Sequence, residues 1–178
     1  MKTIIITGGT SGIGLDIAYF FYRKNFNVAI VGLIKKSNLI RLEKKFNTKK
    51  SLILNLDLIK KKNIKHFVNL SRKKFGKVDI LVNCAGLQHV APICKFSDKI
   101  WENIININLS TPFKMIKEVL PIMRKNKWGR IINISSVHGA VASQFKSGYV
   151  SSKHGLVGLT KVVALETAKE NITCNSIG

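Results

Sequence analysis

The stretch Thr3-Ile4-Ile5-Ile6-Thr7-Gly8-Gly9-Thr10-Ser11-Gly12-Ile13-Gly14 decides the fold. Its first half is a run of β-branched residues, the composition of a buried strand. Its second half concentrates glycine at positions 8, 9, 12 and 14. From Gly12 to Lys24 apolar residues then recur at helical spacing. Strand, glycine turn and helix in that order open a βαβ unit. Glycines at such a turn allow positive φ and let the backbone approach a pyrophosphate, whose charge the helix N-terminus favours. Gly8, Thr10, Ser11, Gly12, Ile13 and Gly14 are therefore candidate dinucleotide-binding residues. Tight turns also collect glycine for steric reasons alone. The position between an N-terminal strand and an amphipathic helix favours the ligand reading.

Outward from that turn, apolar runs and helical patterns alternate to the end of the chain. Strands are expected at Lys2–Thr7, Asn27–Val31, Ser51–Asn55, Val78–Val82, Arg130–Ser135 and Ile172–Ser176, and helices at Gly12–Lys24, Ser37–Phe46, Ile59–Phe75, Ser97–Lys125 and Tyr149–Lys169. The strands are nearly continuous in apolar character, as parallel strands covered on both faces are. The expectation is one domain over residues 1–178, an α/β doubly wound parallel sheet (Rossmann fold) with six strands. Chemistry is then sought in the loops that follow strands.

Composition narrows the function classes. The 178 residues carry 30 Lys plus Arg against 9 Asp plus Glu, a net charge of +21. With 46% hydrophobic residues and a mean hydropathy of +0.12, the chain can bury a core, which excludes a disordered basic tail. Lysine supplies 25 of the 30 cations, and Ile and Asn are also abundant, a bias of A/T-rich codons that falls on tolerant surface positions. Lys60-Lys61-Lys62 and Arg72-Lys73-Lys74 read as the solvated ends of one helix. The basic residues show neither interleaving with aromatics nor one stripe, so no specific nucleic-acid partner is expected. Cys84, Cys94 and Cys174 show no CxxC spacing, so no metal site and no disulfide framework is expected. The first apolar run is too short for a signal peptide, and no stretch reaches the ~18 apolar residues of a membrane span. A cytoplasmic protein without membrane contact is expected.

Further candidates lie at later strand ends. After the second strand comes Gly32-Leu33-Ile34-Lys35-Lys36, with no carboxylate for ribose hydroxyls. The two lysines could accommodate a 2′-phosphate, which favours NADP. Asp57, beside Leu58, could accept from an adenine amino group or cap the next helix. Asn83-Cys84-Ala85-Gly86 places small residues where a ribose would press on the backbone. Tyr149 and Lys153 stand at i and i+4 on one helical face, Ser136 follows the fifth strand, and Asn108 lies in a helix kinked before Pro112. A phenol of ordinary pKa, ~10, is a poor base near neutrality, and a neighbouring ammonium favours its ionised form. A tyrosine so placed can exchange a proton with a carbinol or carbonyl oxygen.

With these residues in that order and spacing, the chain resembles the short-chain dehydrogenase/reductase family from Met1 through Gly178. The resemblance implies an oxidoreductase in which Tyr149 is the acid/base, Ser136 hydrogen-bonds the reacting oxygen, Lys153 holds the nicotinamide ribose, and Asn108 holds a relay water. Leu33, Asp57, Leu58, Asn83, Ala85, Gly86, Tyr149 and Lys153 join the glycine turn as implied cofactor residues. Cys84 departs from the family, which has asparagine there. Within the family, Leu87-Gln88-His89-Val90-Ala91-Pro92-Ile93, Val137-His138-Gly139 and Lys146-Ser147-Gly148-Tyr149 are similar to members that act on (R)-3-hydroxybutyrate and acetoacetate. That similarity implies Gln88, His138 and Lys146 as carboxylate ligands beside Ser136 and Tyr149, a chemistry a cation with two polar donors suits. It also implies NAD rather than NADP, a small hydroxy or keto acid as the partner molecule, and a homo-oligomer. The resemblance implies a Pro-Gly turn, a substrate lid and a last strand beyond Gly178. A chain lacking them is expected to be at most a dimer and weakly active or inactive, binding nucleotide only.

Overall fold

Six strands, β1 (Thr3–Thr7), β2 (Asn27–Gly32), β3 (Ser51–Asn55), β4 (Ile80–Asn83), β5 (Gly129–Ile134) and β6 (Ile172–Ile177), lie in one sheet. In the computed structural model, which describes Met1–Gly178, every pairing is parallel and the order is β3-β2-β1-β4-β5-β6. The helices are α1 (Gly12–Arg23), α2 (Lys36–Glu43), α3 (Lys61–Phe75), α4 (Asp98–Ile105), α5 (Thr111–Lys125) and α6 (Ser147–Glu166). This is the doubly wound sheet expected from the sequence.

The strand period of two sorts β1 between two cores. Ile5 packs with Ala29, Val31, Leu81 and Ile131 under Phe67 of α3, Met115 and Val119 of α5, and Val163 of α6. Ile4 and Ile6 point the other way and pack with Val28, Ile30 and Val82 against Ala18 of α1, Leu42 of α2 and Phe46. All five residues of β1 are buried, and each buried isoleucine contributes about 1.5–3 kcal/mol. Thr7 pairs with Val31 on one side and Asn83 on the other. The strand order therefore reverses between β1 and β4, which opens a crevice at their carboxyl ends.

Three local expectations are corrected. The single helix read over Ser97–Lys125 is divided by a π-helical turn at Asn106–Ser110. Pro112 explains it: in a continuous α-helix its ring would meet the carbonyl of Asn108 and offer it no N–H, and the wider turn relieves the clash. Helix α2 ends at Glu43 because the chain must turn to bury Phe46, which stacks on Tyr19 at 5.0 Å between ring centroids. Thirdly, helical spacing gathers a basic stripe that linear order conceals. Lys61, Lys62, Lys65, Arg72 and Lys73 share the exposed face of α3. No helix is long and apolar enough to cross a membrane.

Candidate active site

The glycine turn closes directly over the end of β4. Gly8 has φ +66°, and a Cβ there would fall 2.7 Å from the Ala85 Cα. Below it the Thr7 hydroxyl accepts from the N–H groups of Cys84 and Ala85 at 3.1 and 3.2 Å. A Cβ on Gly14 would fall 2.4 Å from the Gly8 carbonyl, so α1 can sit against the turn only without one. Ser11, the N-cap of α1, has an extended backbone, and its side chain makes no capping bond. With no acidic residue in the first turn, the N-terminus of α1 keeps its partial positive charge for an anion.

Beside the turn runs an open cleft of about 210 Å³, lined by Gly8, Thr10, Ser11, Leu33, Asp57, Leu58, Ala85 and Gly86 among the expected residues. Gly32, Leu56, Ile59, Leu87 and Ile107 complete it; the linear pattern gave no sign of them beyond their place after strands. The Asp57 carboxylate accepts from the Ile59 N–H at 3.0 Å, so it caps the turn before α3, whose own N-cap is Lys60. Asp57 also lines the cleft. Leu58 buries its side chain in the core and shows the cleft little else than backbone. Asn83 lies beneath the cleft instead of lining it. It is buried, and its Nδ2 donates to Asn133 Oδ1 at 2.8 Å. Asn133 in turn donates to Thr160 Oγ1 at 2.9 Å, a buried polar ladder from β4 through β5 to α6.

Asn108 is fully engaged. Its Oδ1 accepts from the Leu87 N–H at 2.8 Å, and its Nδ2 donates to the Leu87 carbonyl at 2.9 Å and to Ser152 Oγ at 3.0 Å. Ser152 donates onward to the Tyr149 carbonyl at 2.7 Å. The Asn108 side chain on the π turn thus clamps the segment after β4 to α6.

Lys153 is buried, donates to the Ile134 carbonyl at 2.6 Å and lies 5.5 Å from the Tyr149 ring centroid. Burial pulls its ammonium below the ordinary lysine range, opposed by the nearby Cys84 thiol. Burial likewise raises the Cys84 thiol, against the Lys153 charge and the Gly14 N–H. Ser136 ends the turn from β5, and its Oγ accepts from the His138 N–H at 3.2 Å, leaving its own proton to donate. The His138 ring stands edge-on to Tyr149 with centroids 6.0 Å apart.

Lys146 Nζ lies 3.2 Å from His138 Nε2, and Ser143 Oγ lies 2.9 Å from the same nitrogen. A lysine ammonium only donates, so Nε2 is the acceptor and the ring proton is on Nδ1. That Nδ1 is buried without a partner. Phe145, beside Lys146, is held at φ +65°, a strained state for an aromatic residue. Its carbonyl accepts from the Ala91 N–H at 2.9 Å, which ties the Gln88 segment to the Lys146 loop. Gln88 itself is exposed and hydrogen-bonded to neither His138 nor Lys146.

A cleft at the sheet's reversal point, a glycine turn on it, and a Ser–Tyr–Lys set beside it agree with the comparisons with known proteins. Residues 2–178 match the family model described as short chain dehydrogenase. The chain belongs to the short-chain dehydrogenase family. It is 43% identical to a D-beta-hydroxybutyrate dehydrogenase of Rhizobium meliloti and 42% identical to one of Cupriavidus necator, in both cases over 99% of this chain and 69% of the relative. It is 32% identical to a 3-oxoacyl-[acyl-carrier-protein] reductase of Staphylococcus epidermidis, over 99% of this chain and 73% of that protein. A crystal structure of a short-chain dehydrogenase from Streptomyces avermitilis superposes with a TM-score of 0.92 at 24% identity, over 98% of this chain and 64% of the other, and supports the fold. The chain thus spans about two thirds of the length of these family members.

Proposed function

We propose that this chain carries the cofactor and catalytic residues of an NAD-dependent dehydrogenase that interconverts (R)-3-hydroxybutyrate and acetoacetate. The observation that carries the substrate reading is the buried, unpartnered Nδ1 of His138, whose ring Lys146 and Ser143 hold from the far nitrogen. A buried donor without an acceptor costs about 1–3 kcal/mol. An acceptor at Nδ1 removes that cost, and Lys146, which meets the ring at the opposite nitrogen, offers a carboxylate a charge-assisted bond from that side.

The cleft fits a dinucleotide. Gly8 brings the turn so close to the Ala85 backbone that no side chain fits between them, and the α1 N-terminus offers a positive dipole end to a pyrophosphate. Leu33 lines the cleft whereas Lys35 and Lys36 do not, which supports NAD over NADP. Bound there, the nicotinamide supplies the hydride acceptor for alcohol oxidation. Tyr149 takes the carbinol proton as its carbon gives up hydride, and Ser136 donates to the same oxygen. The buried Lys153 ammonium lies 5.5 Å from the centroid of the Tyr149 ring. A 3-oxoacyl thioester, the substrate class named for the Staphylococcus relative, has no free carboxylate for His138 and Lys146.

The test is NADH formation with (R)-3-hydroxybutyrate, compared between the parent and Lys146→Ala. Loss of one charge-assisted bond, about 1.5–3 kcal/mol, raises KM for the hydroxy acid roughly 10- to 100-fold and leaves a 3-oxoacyl thioester unaffected. Equal KM in the two proteins would remove the carboxylate reading. Dissociation constants for NAD and NADP decide the cofactor.

A further inference from the structure

The exposed face of α3 is unlike that of any other helix in the molecule. Lys61, Lys62, Lys65, Arg72 and Lys73 fall within about 120° of arc at 100° per residue, with exposed Asn69 among them and exposed His66 at the edge. The stripe is about 18 Å long at 1.5 Å per residue. The α3 sequence KKNIKHFVNLSRKKF contains no carboxylate, whereas α1 has Asp16, α2 Glu43, α4 Asp98 and Glu102, α5 Glu118 and α6 Glu166. None of the five cations makes a salt bridge; the three ion pairs of the chain lie elsewhere. The first turn carries lysines and no acid, an arrangement the helix dipole disfavours unless an anion lies alongside.

We infer that this face of α3 docks the phosphate backbone of duplex nucleic acid without reading its sequence. A row of cations rising at one turn per step presents charge along a line, as a phosphate backbone does. No Phe, Tyr or Trp is exposed between them, since Phe67 is buried and Phe75 half-buried, and the single imidazole of His66 is a small platform for base stacking, which disfavours single strands. No apolar side chain projects from the face either: Ile64 and Val68 are buried in the core. The wedge that an interfacial helix sinks into lipid is missing, which favours nucleic acid over a membrane surface. The stripe stands on the sheet face opposite α1 and α2.

Fluorescence anisotropy with a labelled mixed-sequence DNA duplex tests it. Binding is expected at about 50 mM salt with a dissociation constant of order 10⁻⁶ M or weaker, falling roughly 10²-fold or more in affinity by about 200 mM, as release of counterions from some five phosphates requires. The double variant Lys65→Glu/Arg72→Glu is expected to lose at least about 10-fold. Lys24→Glu/Lys44→Glu, the same charge change at exposed positions on the opposite sheet face, is expected to stay within about threefold. Circular dichroism checks that both fold. Equal losses in the two variants would show that +21 acts as a diffuse cloud and overturn the docking face. No binding by the folded parent at low salt, or binding to phosphatidylserine vesicles but not to the duplex, overturns it as well. Dehydrogenase activity is not a readout, so failure here leaves the oxidoreductase reading untouched.

Discussion

Tyr149 and Lys153 do different work, and substitutions separate them. In Tyr149→Phe only the proton-carrying hydroxyl is lost, so turnover should fall by at least about 10², while NAD affinity, measured by fluorescence titration, should change little. Retained turnover would remove Tyr149 from the chemistry. Lys153→Met has a further, thermodynamic consequence. Burial lowers the folded-state value of Lys153, so between that lowered value and the ordinary ~10.4 the unfolded chain binds more protons than the folded one. Stability from this group therefore rises with pH across that interval, and below it the buried cation is a constant cost. Lys153→Met removes the cost: it should be inactive yet more stable near neutrality, and its stability should lack the parent's alkaline rise. A urea-melt series against pH checks both signs, and the difference between the two proteins cancels the opposing slope from Cys174, whose buried thiol is pushed up to about 11. Spacing within one helix made the Tyr149/Lys153 pair readable in the sequence. The place of Asn83 beneath the cleft was not readable, because Asn133, which holds it, lies 50 residues on and reaches it only through strand pairing.

At the scale of elements, the π turn at Asn106–Ser110 is the joint between cleft and catalytic helix. Pro112 was visible in the sequence as a kink, but the direction in which the widened turn aims Asn108 depends on Leu87 and Ser152, 21 residues before and 44 after it. Asn108→Ala deletes three hydrogen bonds, one buried and two part-buried, so a loss of about 1–3 kcal/mol in unfolding free energy is expected, with a lower kcat because Tyr149 loses its support through Ser152. An unchanged urea midpoint would show that water replaces those bonds. Two glycines contrast in the same terms. Gly158, inside α6, has open space where a Cβ would go, so Gly158→Ala should stabilise by about 0.5–1 kcal/mol. Gly8→Ala combines positive φ with a 2.7 Å clash on Ala85 and should lower both stability and NAD affinity. The glycine turn, β1 and α1 could be read locally because their constraints are local. The stripe on α3 could be read only after the helix had wound its two lysine runs onto one side.

For the whole molecule, the parallel doubly wound sheet followed from apolar runs and from helices long enough to cross over, whereas the strand order β3-β2-β1-β4-β5-β6 appears only in the structure, and electrostatics followed from composition alone. A net charge of +21 on 178 residues is met by three ion pairs, Lys77–Asp79, Lys99–Glu102 and Arg124–Glu170. Lys99–Glu102 is well exposed and contributes little that salt could remove. The repulsion among unpaired cations is long-ranged, opposes the compact state, and is screened once the Debye length drops to ~10 Å at about 0.1 M salt. Sodium chloride should therefore stabilise this protein. The expected result is a Tm that climbs between about 20 and 300 mM NaCl, by roughly 2–4 °C for each kcal/mol of repulsion relieved, and then levels as screening saturates. Chloride is the appropriate anion because sulfate also strengthens apolar burial and would mix two effects. If the cations of α3 concentrate the repulsion, Lys65→Glu/Arg72→Glu should flatten the climb more than Lys24→Glu/Lys44→Glu. A Tm that falls with NaCl would mean that the few ion pairs outweigh the many unpaired charges.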